Sequence, residues 1–317
     1  MKTPDEIIAI VAPEIAALEN QKKEDLKKIK TYFFVLISAL FVSFIAMSFL
    51  NIPDYFQFFR FLIFGLIIYG FYKIYKLFSF LKESYKSDFK DIVMPVIFEA
   101  LDLTIEYRKN YFIPQGEFIK SEIFPLTPSY YFGEDYIKGK IDKTTFELSD
   151  HTVKRKVSND KTELVFKGWF IIADFNKNFK GKTFLVPEVQ GMQSGFLAKT
   201  IMKFNPANYE LAKLEDPEFE KRFAVYTTDQ IEARYILSPG LMKEITELSS
   251  TYSRDIRISF IESKIFIGVT TYENLFNPPF FNSTSLDSTV KTFVLQLMNC
   301  INLIDVLNLN TRIWTKE

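Results

Sequence analysis

This chain is short of the residues that catalytic sites are usually built from. It holds one cysteine, Cys300, and one histidine, His151, among 317 residues. A single thiol excludes an internal disulfide framework and fits a reducing compartment. In its periodic apolar stretch Cys300 reads as a buried structural thiol. One His and one Cys cannot assemble a zinc site of the usual kind, and no CxxC, HExxH or EF-hand spacing occurs. Glycine is scarce, 11 residues against 35 phenylalanines, which suits an aromatic core better than the glycine-built loops that cradle phosphates. Net charge is missing too, since 39 Lys and Arg balance 39 Asp and Glu. Phosphate backbones need a concentrated basic surface, so nucleic acid is not an expected partner. No cofactor is expected.

What the chain does have is two long apolar runs, Thr31 to Leu50 and Phe58 to Tyr72, with only a short polar break around Pro53 and Asp54 between them. The first carries no charge and has the length of about 20 residues that a helix needs to cross the hydrocarbon core. Backbone polar groups in lipid must be satisfied internally, so a helical hairpin is the expected form. Lys22, Lys23, Lys27, Lys28 and Lys30 precede the first run, and Lys73, Lys76, Lys82 and Lys86 follow the second. The break between them has no Lys or Arg, and Arg60 lies close enough to the end of its run to snorkel outward. The positive-inside bias therefore puts both termini in the cytoplasm. A cleaved signal peptide fits less well, because the run starts after Lys30 and is longer than a signal core.

Around the hairpin the sequence predicts a cytosolic amphipathic helix over 1–30, spans over 31–51 and 57–78, a helical stalk over 79–113 and an α+β domain over 114–317. Ile7, Ile8, Val11, Ile15 and Leu18 share a face of the first helix. That helix is expected to kink or divide at Pro13, and to lie on the membrane or pack on protein. The stalk is expected to stay helical to about Arg108, interrupted at Pro95. Beyond Pro114 the apolar period becomes two. Tyr136–Ile141, Thr144–Ser149, Thr152–Val157, Glu163–Asp174, Lys182–Val186, Tyr209–Leu214 and Phe223–Thr227 read as strands. Ser238-Pro239 opens a helix to Leu248, and Asp255–Ile261 with Lys264–Thr270 reads as a hairpin around Glu262-Ser263. Leu286–Leu307 is a closing amphipathic helix. Strands in direct succession imply antiparallel sheets, expected to be curved and of the pleckstrin-homology type, one or two in number.

The stretch Phe166–Lys177 with Phe179–Thr183 resembles a signature of a bacterial membrane family, domain of unknown function 3137. Phe223–Pro239 with Leu241–Glu244 resembles another, and Ser259–Ile261 and Leu275-Phe276 before Pro278 fit as well. The resemblance covers most of the chain. It implies a bacterial inner-membrane protein with an N-terminal helix, two close spans and a cytosolic domain. It brings no catalytic residue.

Individual residues offer little chemistry. Gly181-Lys182-Thr183 invites a P-loop reading, but Asn176 stands where the motif needs its first glycine and a strand follows where it needs a helix. Gly181 reads instead as a hairpin or turn glycine. His151 beside Asp150 cannot form an oriented pair, because neighbours along a strand point to opposite faces; a solvated edge position is expected. Lys154-Arg155-Lys156 reads as a solvated strand face or a contact with anionic headgroups. Asp229, Glu232, Arg234 and Tyr235 are the candidate ligand- or partner-binding residues, set against a loop-to-strand junction in which Arg234 pairs with an acid. The expected function is a non-enzymatic binding or scaffolding module tethered to the inner membrane, with a protein partner or a second copy. The alternatives are a membrane-tethered hydrolase or transferase using carboxylates, and an accessory subunit of a membrane complex.

Overall fold

The computed structural model describes residues 2–49, 57–141, 143–158, 161–174, 178–187, 209–252, 256–271, 276–278, 280 and 286–311. It divides into a helical unit, Lys2–Ala100 with Asn277–Lys291, and a sheet unit made mainly of Leu101–Phe276 and the residues from Thr292 onward.

In the helical unit, α1 (Pro4–Phe49) and α2 (Gln57–Asp88) are followed by a π-helical turn, Phe89–Val93, and α3 (Met94–Ala100). The α1 start is a capping box. The Thr3 backbone N–H donates to the Glu6 carboxylate at 2.7 Å, and the Glu6 N–H donates back to the Thr3 hydroxyl at 3.3 Å. α1 runs through Pro13 without dividing. Its stripe Ile7, Val11, Ile15 and Leu18 is buried beside Phe89–Val93 and α3, so this face is packed on protein. The π turn stands just before Pro95. A proline has no N–H and crowds the carbonyl four residues back, and a widened turn accommodates both. The Met94 N–H accordingly reaches the Phe89 carbonyl.

The outer parts of α1 and α2 have a different character. They are long and apolar enough to cross a membrane, and none of their most apolar stretch is buried. Phe34 is 70% exposed, Phe44 69% and Leu66 61%. The two helices pack on each other, with Phe33 and Phe71 edge to face at 6.1 Å and Leu36 so close to Gly70 that a Cβ there would meet it at 2.7 Å.

The sheet unit opens earlier than the sequence suggests. Helix ends at Ala100, Asp102 takes a left-handed φ of 56°, and β1 (Thr104–Arg108) follows inside the segment expected to be stalk. Next come α4 (Gln115–Lys120), β2 (Tyr130–Ile141), β3 (Thr144–Ser158) and β4 (Lys161–Asp174). The two strands expected over 144–157 are thus one. They are followed by β5 (Thr183–Pro187), β6 (Glu210–Ala212), the single turn α5 (Pro217–Glu220), β7 (Phe223–Thr227), α6 (Gln230–Ile236) and α7 (Pro239–Tyr252). The hairpin β8 (Ile256–Ile261) and β9 (Lys264–Thr270) and the helix α8 (Leu286–Thr311) complete the described elements.

The strands form one open antiparallel sheet of nine in the order β1-β2-β3-β4-β9-β8-β5-β7-β6. The α+β class holds, but the curved pleckstrin-type sheets do not. β9 pairs with β4 and β5 pairs with β8, so the two strand sets fuse into one sheet. Its central strands are covered on both faces. Phe166, Phe170 and Ile172 join Phe118, Phe124, Phe184 and Phe266 in one core. On the other side Trp169 meets Phe276 at 5.6 Å and Phe293 of α8 at 5.9 Å. This explains the near-continuous apolar run of β4, since a strand buried on both faces has no reason to alternate.

Candidate functional site

The core face of the sheet opens at one end of its strands into a cleft of about 500 Å³. Strand register builds its floor. Lys138, Glu147, Ile172 and Phe266 stand in one cross-strand row. Lys140 and Thr145 face each other in the next row, as do Asp174 and Lys264, and the Thr145 hydroxyl donates to the Asp174 carboxylate between them. Side chains two apart along a strand share a face, and Lys138, Glu147 and Ile172 of the first row and Thr145, Asp174 and Lys264 of the second line this cleft. Tyr111 and Tyr136 close one wall, edge to face at 5.0 Å. Burial and the neighbouring Glu147 hold the Tyr136 phenol protonated, well above its ordinary range.

Glu117 of α4 divides this cleft from a second one of about 260 Å³. Its carboxylate accepts from Lys120 at 2.8 Å and from Lys264 at 2.9 Å. The hydrogen bonds from these two lysines hold its pKa below the usual carboxylate value. In the second cleft Lys182 donates to Glu122 at 2.6 Å, which raises the lysine pKa, and the Tyr209 hydroxyl reaches the other Glu122 oxygen at 3.4 Å. The Glu117 carboxylate is thus a stabilised anion, suited to charge recognition and poorly suited to donating a proton. Lys138 is exposed at the rim and makes no ion pair among the described residues. Among those residues no group of three His, Cys, Asp or Glu side chains comes together to hold a metal.

The residues singled out from sequence fall elsewhere. Asp229 is the N-cap of α6, accepting from the Ile231 and Glu232 N–H groups at 3.0 and 2.9 Å. The expected loop-to-strand junction is therefore a helix start, for which Asp at this position is a strong signal. Glu232 turns back to accept the Lys180 and Gly181 N–H groups at 3.0 and 2.8 Å. The Gly181 N–H of the Gly-Lys-Thr segment and the Lys180 N–H before it are thus filled by the protein's own carboxylate, and the Lys182 N–H goes to the Thr228 hydroxyl at 2.8 Å. Gly181 lies at a bend just before β5. Arg234 and Tyr235 face outward beside Ile231, which is 75% exposed, and Arg234 has no ion pair among the described residues. Arg155 of the basic triplet pairs with Glu163 on the facing strand at 2.7 Å. Cys300 is buried.

His151 is not a solvated edge residue but a buried group on the core face. It lies mid-strand because β3 is continuous, and it is fully buried. Its Nε2 is 2.7 Å from the Ser149 hydroxyl, which also accepts the Ile113 N–H at 3.0 Å. The rings of Tyr131, Phe112 and Phe170 surround it at 4.9, 5.8 and 5.9 Å. Desolvation pulls its pKa down to about 3, against a small opposing contribution from the Phe132 backbone. The site residues that sequence reasoning missed, Glu117, Lys138, Glu147 and Lys264, lie on separate elements. Only the alternation in β2 and β3 hinted that Lys138 and Glu147 share a face.

Residues 164–309 match a family model described as a protein of unknown function, DUF3137. The match holds every motif on which the resemblance rested. It leaves out β1–β3 and both apolar helices, and so covers less of the chain than the resemblance implied. No curated protein matches. Among solved structures, the crystal structure of the mycobacterial trehalose monomycolate transport factor A is similar at 7% identity and a TM-score of 0.33, covering 69% of this chain and 92% of that chain.

Proposed function

We propose that this chain, whose residues 164–309 match the DUF3137 family model, is a bacterial inner-membrane protein whose sheet unit binds a charged segment of a partner protein at the cytoplasmic surface. The apolar parts of α1 and α2 form a two-span hairpin, with both termini and the sheet unit in the cytoplasm. Lysines on the outer flanks and the absence of Lys and Arg from the connection support that orientation.

One observation carries the binding reading: Glu117 is clamped between Lys120 and Lys264 at the ridge between the two clefts. A fixed pattern of ion pairs beside the outward Lys138 and the half-buried Glu147 can read alternating charge on an extended segment. A hydrolase or transferase would instead need a carboxyl group raised toward neutrality to act as the acid, and Glu117 is shifted the other way.

Site-specific photo-crosslinking in cells tests this. A photoreactive residue at Lys138 should capture one discrete protein, and Lys264→Glu should abolish the capture while leaving the chain in the membrane. Capture from Tyr235 and not from Lys138 would move the partner surface to the outer face of α6, where Arg234 and Tyr235 lie with Asp229 and Glu232 behind them. No capture from either, with loss of phenotype in Glu147→Gln, would favour the hydrolase reading.

A further inference from the structure

The charge balance of the chain hides a local imbalance where the two apolar helices leave their apolar stretch. The contact of Phe33 with Phe71 and the stacking of Lys22 over Tyr85, 5.2 Å from its centroid, fix the antiparallel register of α1 and α2. That register brings Lys27, Lys28 and Lys30 of α1 level with the turns of α2 that carry Lys73 and Lys76. All five lysines are exposed. No acid occurs between residues 26 and 34 of α1 or between 70 and 80 of α2. The nearest is Asp25, one turn below, which accepts from Lys28 at 2.9 Å. Five positive charges thus ring a hairpin in a chain with zero net charge.

The same band is rich in tyrosine. Tyr32, Tyr69, Tyr72 and Tyr75 are each more than half exposed, and Lys73 lies over the Tyr69 ring at 5.4 Å from its centroid. Tyrosine settles at headgroup depth because its ring is apolar and its hydroxyl is wet. A lysine stem can run along such rings and leave the ammonium among the headgroups.

We infer that this collar is a binding site for anionic phospholipid headgroups, which retains a shell of them around the hairpin. The inference rests on the bilayer reading above and adds the lipid class. A lysine close to an anionic membrane surface is worth a factor of about five in binding. Screening within about 10 Å at ordinary ionic strength makes that factor salt-dependent.

The test uses the full chain purified in a neutral detergent and given defined mixtures of phosphatidylglycerol and phosphatidylcholine. Native mass spectrometry counts the lipids retained. Wild type should enrich phosphatidylglycerol over the supplied ratio by roughly fivefold or more, and the enrichment should fall as salt is raised. Lys27, Lys28, Lys30, Lys73 and Lys76 changed together to Gln should bring the ratio back to that supplied, and the same five changed to Arg should retain it. Lys22, Lys23, Lys82 and Lys86 stay in place to hold the orientation. Equal retention of the two lipids by wild type, or enrichment that does not respond to salt, overturns the inference even if the glutamine variant cannot be made. Failure of the bilayer reading shows separately: the chain would leave membranes on alkaline carbonate washing without detergent.

Discussion

Acidification from about pH 7 to about pH 4 separates the native chain from its unfolded form at His151. Unfolded, the imidazole takes up a proton near its ordinary value of 6.5; folded, it resists down to about 3. Between those values the unfolded state binds one more proton than the native state, so stability falls as pH falls. Above about pH 7.5 the group is neutral in both states and contributes no pH dependence. Each unit inside the window is worth about 1.4 kcal/mol. By about pH 4 the loss from this residue alone reaches roughly 3 kcal/mol, a large part of an ordinary domain's 5–15 kcal/mol. The group is wholly buried among Phe112, Tyr131 and Phe170, so solvent screening does not reduce this much.

Carboxylates also titrate in that range, and a variant separates the two contributions. In His151→Gln the side-chain amide carbonyl can stand near the Nε2 position and accept from the Ser149 hydroxyl, with nothing left to ionise. Equilibrium unfolding of both proteins in the same neutral detergent, followed by circular dichroism at several pH values, gives the difference in stability. That difference should shift toward the variant by about 1.4 kcal/mol per unit below about pH 6.5. A difference that stays flat down to about pH 4 would show that the imidazole is hydrated or charged in the native state, and the burial argument would fail.

Two further tests concern the sheet. Sequence alone requires one of Trp169 and Phe170 to be buried, and the structure buries both, on opposite faces; each change to Ala should cost about 3–5 kcal/mol in a thermal or chemical melt. Gly168 has φ of 150°, and a Cβ there would meet the Val269 carbonyl oxygen at 2.1 Å. Gly168→Ala should therefore cost about 3 kcal/mol or more, and a variant with an unchanged melting temperature would refute the β4–β9 pairing at that point.

What could be read from the sequence was local. The Glu262-Ser263 hairpin declared itself through alternation on both sides of a two-residue turn, and the structure pairs Ile261 with Lys264 across it. Ser238 before Pro239 marked the start of α7, and its hydroxyl accepts the Leu241 N–H at 3.4 Å. The end of the stalk was misplaced because apolar spacing continues past Ala100. The signal that stops the helix is one aspartate with a left-handed backbone, which Asp tolerates better than most residues. From sequence β3 reads as two strands because Asp150-His151 looks like a polar break. What makes that pair compatible with a strand interior is non-local: Ser149, Phe112, Tyr131 and Phe170 enclose the imidazole.

The candidate site shows the same division between local and distant information. Glu117 and Lys264 are 147 residues apart, and nothing near either one announces the other. The Gly-Lys-Thr segment shows how far sequence reasoning can go at a single spot. The missing first glycine and the following strand were enough to reject a phosphate loop. They could not reveal that the Gly181 and Lys180 N–H groups do hold an anion, the carboxylate of Glu232, 51 and 52 residues away. That contact gives Glu232 a structural task, and Asp229 has another as the cap of α6. Of the four residues first expected to meet a ligand or partner, Arg234 and Tyr235 are exposed, while Asp229 and Glu232 are occupied with backbone N–H groups.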